Sequence, residues 1–590
     1  MIPLKLPYTV KITGRAGAGV ISTGEMLLFA VSRLGFYGTM CREYPSNVQG
    51  GYSTTTVTVS DKSTFISIHK IDCLFVRFLD AAVREIPFCE EHAVLLFDSS
   101  ECGENELIAL LEKFERKDIC CLPVPIMGSG EKKAVSSFYS SIVNACIGRF
   151  LSIPFDYIEQ SIKYRFRSKT IHTINKNLEM ATHGYQLLKG KIDMCRLLPE
   201  RSGHIQDLRL FDGNQLAAQG ALAAGCTFFA SYPITPSTGI GNLLSKMLPE
   251  KGGGAIQSED EIAAIGAAVG ASFGGAKSMA ATSGPGLSLM QEFINYASMA
   301  ELPLVVVDVQ RAGPSTGSPS QYGQEDLFAA AFGSHGESSR IVLAPDSIIG
   351  CYSTIINAFN CAEWYQCPVI VLSDSFLAMT KITVADSQLE KTTVINRDVM
   401  VSNPPDNNFK RYRNDKTVSS VPVPGISPIA YRVTGLEHDE YGNPSESLQM
   451  RSLQHRRRMN KLSFIETKFP YLVQMDCITD EVDIGIIAWG GTAVITRCVV
   501  EQLRSEGYKV AALYPRLLFP VCESAIEELL ALTPRIIIPE SNDSGQYAKI
   551  LRMYTNGKPH SILSVSGVPF SVESLHNEIE AFLKKESAGE

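Results

Sequence analysis

The chain has 590 residues, with Lys+Arg 54 against Asp+Glu 62, a formal net charge of −8, and 45% hydrophobic and 20% charged residues. That length exceeds one core, so about three or four domains of ~100–200 residues are expected, and the acidic balance offers no basic face to nucleic acid or an anionic membrane. The 15 cysteines are scattered without any C-x-x-C, which argues against a disulfide framework or an iron–sulfur ligand set and for a reduced, cytoplasmic protein.

The opening residues lack an apolar leader and run straight into a strand, so no signal peptide is expected. Residues 1–190 read as a compact α/β domain. Its strand 9–13 leads into Gly14-Arg15-Ala16-Gly17-Ala18-Gly19 and a helix ending near Leu34. Backbone N–H groups around Gly14, Gly17 and Gly19 can cradle a phosphate at a helix N-terminus, although such glycines also serve tight turns. A polar loop containing Gln49-Gly50-Gly51 follows, then strands near 54–60, 72–78, 93–97 and 119. Residues 191–210 are charged and irregular and read as a linker.

Residues 211–380 alternate strand and helix, with strands at 228–232, 255–257, 278–282, 304–308, 341–344 and 368–373; this predicts a doubly wound domain. Residues 213–245 carry no charge, but Asn214, Gln215, Gln219 and two prolines make them a poor membrane span. Residues 381–475, rich in Pro, Asn and charge, as in Asn403-Pro404-Pro405-Asp406, read as an extended connector wrapping that domain and closed by a helix over 445–462. Within it, His455-Arg456-Arg457-Arg458 reads as a solvated helix face. Residues 476–590 form a last α/β domain, opening with a strand at 483, a Gly490-Gly491-Thr492 turn and a helix, and continuing with strands at 510–514, 536–540 and 562–566.

Three runs concentrate chemistry at strand ends, where open parallel sheets bind ligands. In Tyr232-Pro233-Ile234-Thr235-Pro236 the prolines forbid a helix and hold Thr235 in an extended turn, so its hydroxyl is placed. Glu261 heads a helix of small residues (Ala263, Ala264, Gly266, Ala267, Ala268, Gly270, Ala271) that can pack closely on a neighbour or a flat ligand. Arg311 follows a valine-rich strand and precedes Ala312-Gly313-Pro314-Ser315-Thr316-Gly317, which suits a bidentate anion clamp.

With these runs, Glu259-Asp260-Glu261, Ala281-Thr282-Ser283-Gly284-Pro285-Gly286, Gly435-Leu436-Glu437-His438-Asp439 and Glu540-Ser541-Asn542, the chain resembles the alpha subunit of 2-oxoacid:ferredoxin oxidoreductases with a gamma domain fused in front, over nearly all its length. The resemblance implies a multidomain α/β fold: a gamma domain, a pyrimidine-binding-like domain of thiamine enzymes and a transketolase C-terminal-like domain. It implies oxidative decarboxylation of a 2-oxoacid, 2-oxoglutarate first, with coenzyme A as co-substrate and ferredoxin as acceptor. Pyruvate or branched-chain 2-oxoacids are alternative substrates, and a non-catalytic assembly subunit is the alternative role.

Neither a Gly-Asp-Gly diphosphate motif nor a cysteine ligand set is present. Mg2+ and the [4Fe–4S] cluster would therefore reside on a beta subunit, thiamine diphosphate would be shared with it, and the assembly would be a dimer of heterodimers. The resemblance assigns Glu261 to the pyrimidine nitrogen, with Glu259 as rival. It assigns Arg311 and Thr235 to the substrate, and Ser283 and Gly284 to the cofactor cleft. His335 and His438 lie in family-like segments, but loop histidines more often bond backbone carbonyls. The chain departs from the family pattern at its gamma glycine loop, at Gln49-Gly50-Gly51, at Ala312 where glycine is common, and over Ser318–Gln324.

Overall fold

The computed structural model describes residues 2–43, 51–63, 70–126, 137–199, 208–402, 409–479 and 481–588. Gln49, Gly50 and the run Asn403–Asp406 lie outside them. The chain divides into two compact units, Met1–Phe211 with Met379–Leu389, and Asp212–Ala378 with Glu390–Glu590.

The first unit is built on an eight-stranded mixed sheet in the order Cys120–Val124, Cys89–Asp98, Ile71–Val76, Tyr8–Arg15, Tyr52–Ser60, Tyr37–Glu43, Lys381–Val384, Arg209–Asp212. Alternate residues of one strand face opposite layers. Phe75, Val94 and Leu96 join a core with Met26, Ile142 and Phe150 on one face, while Leu74, Leu95 and Phe97 join Ala81 and Leu107 on the other. The strand Lys381–Val384, which the sequence places at the head of the connector, instead pairs antiparallel with Tyr37–Glu43.

The second unit holds two sheets. The larger runs Gly254–Gln257, Phe228–Ser231, Ser278–Thr282, Leu304–Gln310, Pro368–Asp374, Ile341–Leu343, Leu517–Phe519. Its first six strands are parallel and the last is antiparallel. These strands are short and mostly buried, as a parallel sheet covered on both faces requires. The smaller sheet, in the order Val473–Asp476, Val510–Pro515, Ile484–Ile487, Ile536–Glu540, His560–Leu563, shares one apolar core with the larger.

Between the sheets in sequence, the described residues after Glu390 form little regular structure before the helix Leu448–Asn460 and are pinned by buried cations. Arg397 grips Glu363 at 2.7 Å, both side chains nearly inaccessible, and donates to the Ser272 carbonyl at 2.7 Å. Arg457 and Lys461 both pair with Glu301, and Arg458 pairs with Glu437 at 2.8 Å. Arg457 and Arg458 are buried, so the run read from sequence as a solvated face is in large part an internal ionic anchor. Burial alone would raise the pKa of Glu301, but Lys461 and Arg457 outweigh it and hold the carboxyl far below the usual range.

Candidate active site

Strand order locates the site. The chain passes from Phe228–Ser231 outward to Gly254–Gln257 and then back across to Ser278–Thr282 on the other side of the first strand. The order reverses there, which in open parallel sheets is where ligands bind outside the carboxyl ends of the strands. Residues 232–237, Ser283 and Arg311 each follow one of these strand ends, and the helix Glu261–Phe273 starts beside them.

Asp260, with extended φ −150° and ψ 178°, caps that helix, its carboxylate accepting from the Ala263 N–H at 2.7 Å. Glu261, next in line, is 7% exposed. A Cβ on Gly286 would stand 2.0 Å from Thr282 Oγ1 and 2.8 Å from Glu261 Oε1, so only glycine lets the Glu261 side chain lie against the first turn of the helix Gly284–Ala300. Glu259, the rival, is exposed. The small residues serve packing on one side, where the Gly266 position sits 3.2 Å from the Phe293 ring; on the other, the Gly270 position has nothing within 4 Å. Tyr232, Ile256, Ile262 and Leu289 stay exposed on the elements around Glu261.

Arg311 is buried and its Nη1 donates to the Thr235 carbonyl at 2.6 Å. The structure thus brings Arg311 and Thr235 together, but through the backbone oxygen of Thr235 rather than the hydroxyl that the sequence singles out. Burial lowers the Arg311 pKa, and the neighbouring Asp326 and Asp308 carboxyls oppose that. Its Nε finds no partner among the described residues. Ser283 is fully buried and its Oγ has no partner among the described residues either; it stands at the N-cap of Gly284–Ala300 without capping it. Gly284 lies against Asp326, whose Oδ2 would be 2.9 Å from an added Cβ.

Ala312 has no positive φ and its carbonyl accepts from the Ser318 N–H at 2.9 Å, which explains why alanine is tolerated where the family favours glycine. Gly317, with φ 55°, could not be replaced: a Cβ would stand 2.0 Å from the Ala312 carbonyl oxygen.

Sequence reasoning missed an acid pair behind Arg311. Asp308 is fully buried in Leu304–Gln310, and neither of its carboxyl oxygens has a hydrogen-bond partner among the described residues. Burial and then the Asp326 charge push the Asp308 pKa well above the usual range. Burial pushes Asp326 up to about 6, with Asp308 opposing and the Glu325 charge reinforcing. The available signal was a lone acid in the run Val305-Val306-Val307-Asp308-Val309.

The remaining candidates belong to other elements. In the first unit Gly17 and Gly19 have φ 88° and 80°, and Gly19 caps the helix Val20–Arg33. Gly14 packs on Val20, 2.7 Å from an added Cβ, whereas the Gly17 position is open. In the last domain the Gly491 N–H donates to the buried Asp374 carboxylate at 2.7 Å, so that glycine turn is satisfied internally. His438 is buried, bonds the Leu436 carbonyl at 2.9 Å and lies tilted against the Tyr412 ring; burial lowers its pKa. His335 meets Asn295 at 3.1 Å. Among the described residues no group of His, Cys, Asp and Glu could hold a metal ion, and no helix is long and apolar enough to cross a membrane.

Three family descriptions match: Pyruvate ferredoxin/flavodoxin oxidoreductase over residues 9–187, Pyruvate flavodoxin/ferredoxin oxidoreductase, thiamine diP-bdg, over 219–457, and Pyruvate:ferredoxin oxidoreductase core domain II over 482–571. The alpha subunit of 2-oxoacid:ferredoxin oxidoreductase 2 from Aeropyrum pernix is 31% identical, the alignment covering 95% of each chain. The 2-oxoglutarate synthase subunit KorA of Methanocaldococcus jannaschii is 38% identical over 59% of this chain and 92% of its own. Among solved structures, 2-oxoglutarate:ferredoxin oxidoreductase from Magnetococcus marinus, with 2-oxoglutarate, coenzyme A and succinyl-CoA bound, aligns with a TM-score of 0.90 at 31% identity, covering 98% of this chain and 100% of that one.

Proposed function

Because the chain belongs to the alpha subunits of the 2-oxoacid:ferredoxin oxidoreductases, with a gamma-like domain at its N-terminal side, we propose that it supplies the proton-handling carboxylate and the substrate clamp of a CoA-dependent 2-oxoglutarate:ferredoxin oxidoreductase. The observation that carries this reading is the convergence of buried Glu261 and the Arg311–Thr235 pair on the reversal point of a thiamine diphosphate-binding domain.

The residues fit the cofactor's pyrimidine end. Glu261 offers a carboxylate to a ring nitrogen, and the fully buried Ser283 Oγ, without a partner among the described residues, offers a hydrogen-bonding atom at the neighbouring strand end. Bound thiamine diphosphate supplies the electron sink for breaking the bond between the carboxylate and the keto carbon. Glu261 holds or returns a proton at the pyrimidine nitrogen, a role that needs a carboxylate shielded from bulk water. Arg311 takes the substrate carboxylate, its free Nε edge being the available donor, while the Thr235 carbonyl fixes the guanidinium plane. The Thr235 hydroxyl would bond the substrate's carboxylate or keto oxygen, and Gly284 leaves the room that an added Cβ would take against Asp326.

A beta subunit covers the exposed Tyr232, Ile256, Ile262 and Leu289 and brings Mg2+ and the [4Fe–4S] cluster that passes electrons to ferredoxin. The open turn at Gly17 in the gamma-like domain is the candidate contact for coenzyme A phosphates, with Gly14 and Gly19 shaping it. The 2-oxoglutarate assignment draws support from the relatives named 2-oxoglutarate synthase and 2-oxoglutarate:ferredoxin oxidoreductase. The test is the purified complex with its beta subunit, assayed on a panel of 2-oxoacids with coenzyme A and ferredoxin. The highest kcat/KM is expected for 2-oxoglutarate; a preference for pyruvate or branched-chain 2-oxoacids would overturn the substrate assignment.

A further inference from the structure

A cavity of about 1530 Å³ opens at the amino end of the strand Pro368–Asp374. That strand runs parallel to Leu304–Gln310, so the cavity stands at the edge of the larger sheet opposite the one that carries Arg311. All its lining residues belong to the second unit, and its volume exceeds the ~300–1,000 Å³ of ordinary small-molecule pockets. Three polar atoms of its buried lining have no partner among the described residues: Tyr365 Oη, Gln366 Oε1 and Ser419 Oγ, on residues 3%, 1% and 9% exposed. Buried polar groups are costly unless bonded, so three on one cavity point to something that bonds them. The Gln366 amide is held in one sense. Its Nε2 donates to the Ser419 carbonyl at 2.7 Å, an atom that only accepts, which leaves Oε1 as the acceptor the cavity offers. Gln366 also keeps a left-handed backbone, φ 50° and ψ 58°, at the end of the helix Gly350–Tyr365, where its carbonyl accepts from buried Lys461 Nζ at 3.3 Å. A non-glycine residue in that conformation is strained, and such strain gathers at ligand sites.

We propose that this cavity binds an adenine nucleotide, with the base bonded by Gln366, Tyr365 and Ser419 and the phosphate met by Lys416 and Lys468. The aromatic walls Trp364, Phe409 and Phe464 suit a flat ring. Gln366 Oε1 calls for a donor, which the exocyclic amine of adenine supplies, and the two hydroxyls can donate to its ring nitrogens. The lining charges favour an anion at the rim. Glu363, Asp415 and Glu440 are paired with Arg397, Arg413 and Lys410, and Asp398 accepts from the Ser420 hydroxyl. Lys416 and Lys468 line the cavity without an ion pair among the described residues, and Lys468 Nζ sits over the Trp364 ring, 3.7 Å from its centroid. Coenzyme A carries the same adenosine, so the ligand is either a free nucleotide or the adenosine end of that co-substrate.

The chain offers its own reporter. It has two tryptophans, Trp489 fully buried and Trp364 42% exposed in this cavity wall. Titrating the full 590-residue chain with AMP is expected to change tryptophan emission saturably, and Trp364→Phe to remove the change. Tyr365→Phe and Ser419→Ala delete hydroxyls that bond nothing else among the described residues, so each is expected to keep the wild-type melting temperature. In equilibrium dialysis with labelled AMP each is expected to weaken binding about threefold to tenfold, as for one hydrogen bond. Inosine monophosphate, which has a carbonyl where adenine has its amine, is expected to bind at least ~10-fold more weakly, because that carbonyl would face Gln366 Oε1. A response to AMP assigns the cavity to a free nucleotide; a response to coenzyme A alone assigns it to the co-substrate's adenosine end. No saturable response to AMP, ADP or coenzyme A at millimolar concentration would overturn the site. AMP binding no tighter than that of inorganic phosphate or inosine monophosphate, or unchanged in both hydroxyl variants, would overturn it equally.

Discussion

Arg311→Ala in the assembled complex is expected to raise KM for the 2-oxoacid and cut kcat/KM by at least ~100-fold, because a charge-assisted bidentate contact contributes about 1.5–3 kcal/mol or more. Steady-state kinetics checks this, and unchanged constants would reject the clamp. Glu261→Gln is expected to abolish nearly all turnover while leaving assembly with the beta subunit intact on size-exclusion chromatography. Glu259→Gln, at an exposed carboxylate, is expected to behave like wild type. Both positions stood out in the sequence because an acid at a helix start and an arginine before a Gly/Pro loop are unusual where apolar strands end. The Thr235 carbonyl was not legible, since a backbone oxygen leaves no mark in a sequence. Asp308 was passed over because a single acid among valines looks like a strand interrupted, and its neighbour Asp326 is brought to it only by the fold.

At the scale of elements, strand periodicity predicted the parallel sheet well: the strand at 278–282 agrees at both ends, and Leu304–Gln310 runs two residues past its predicted end at 308. What periodicity could not give was long-range pairing. Glu301 and Arg457 lie 156 positions apart, so the charge run at Arg456–Arg458 offered no hint that two of its members are buried. The strand Lys381–Val384 was likewise hidden, because its partner Tyr37–Glu43 is more than three hundred residues earlier.

The anchor also makes a stability prediction. Glu301→Ala leaves Arg457 and Lys461 buried without their counter-charge and is expected to destabilise the fold by about 3–5 kcal/mol in urea denaturation; a loss under ~1 kcal/mol would show that water or rearrangement replaces the ion pair. Because the Glu301 pKa is depressed in the fold, its contribution is present above the ordinary carboxylate range and lost as pH falls towards the folded value. Acid should therefore destabilise wild type more steeply than Glu301→Gln.

At the scale of the whole molecule, the proposed reading makes this chain one half of a reaction. Its described residues contain no set of metal-ligating side chains, while its thiamine diphosphate-binding domain exposes apolar side chains around Glu261. Purified alone, the chain is expected to be colourless and inactive, and to gain turnover on addition of the beta subunit; visible iron–sulfur absorption from the isolated chain would contradict that division of labour. The family and the α/β class were readable from motif order along 590 residues. The compact units were harder to read, since the segment Met379–Leu389 belongs with the first unit and splits the second in sequence.

The central claim is that Glu261 handles a proton for a cofactor shared with another chain. Hydrogen–deuterium exchange at the thiazolium C2 of thiamine diphosphate bound to the assembled complex, followed by NMR after acid quench, tests it most directly. The account predicts exchange at least ~100-fold slower in Glu261→Gln than in wild type with cofactor occupancy retained; equal exchange rates in the two would contradict it.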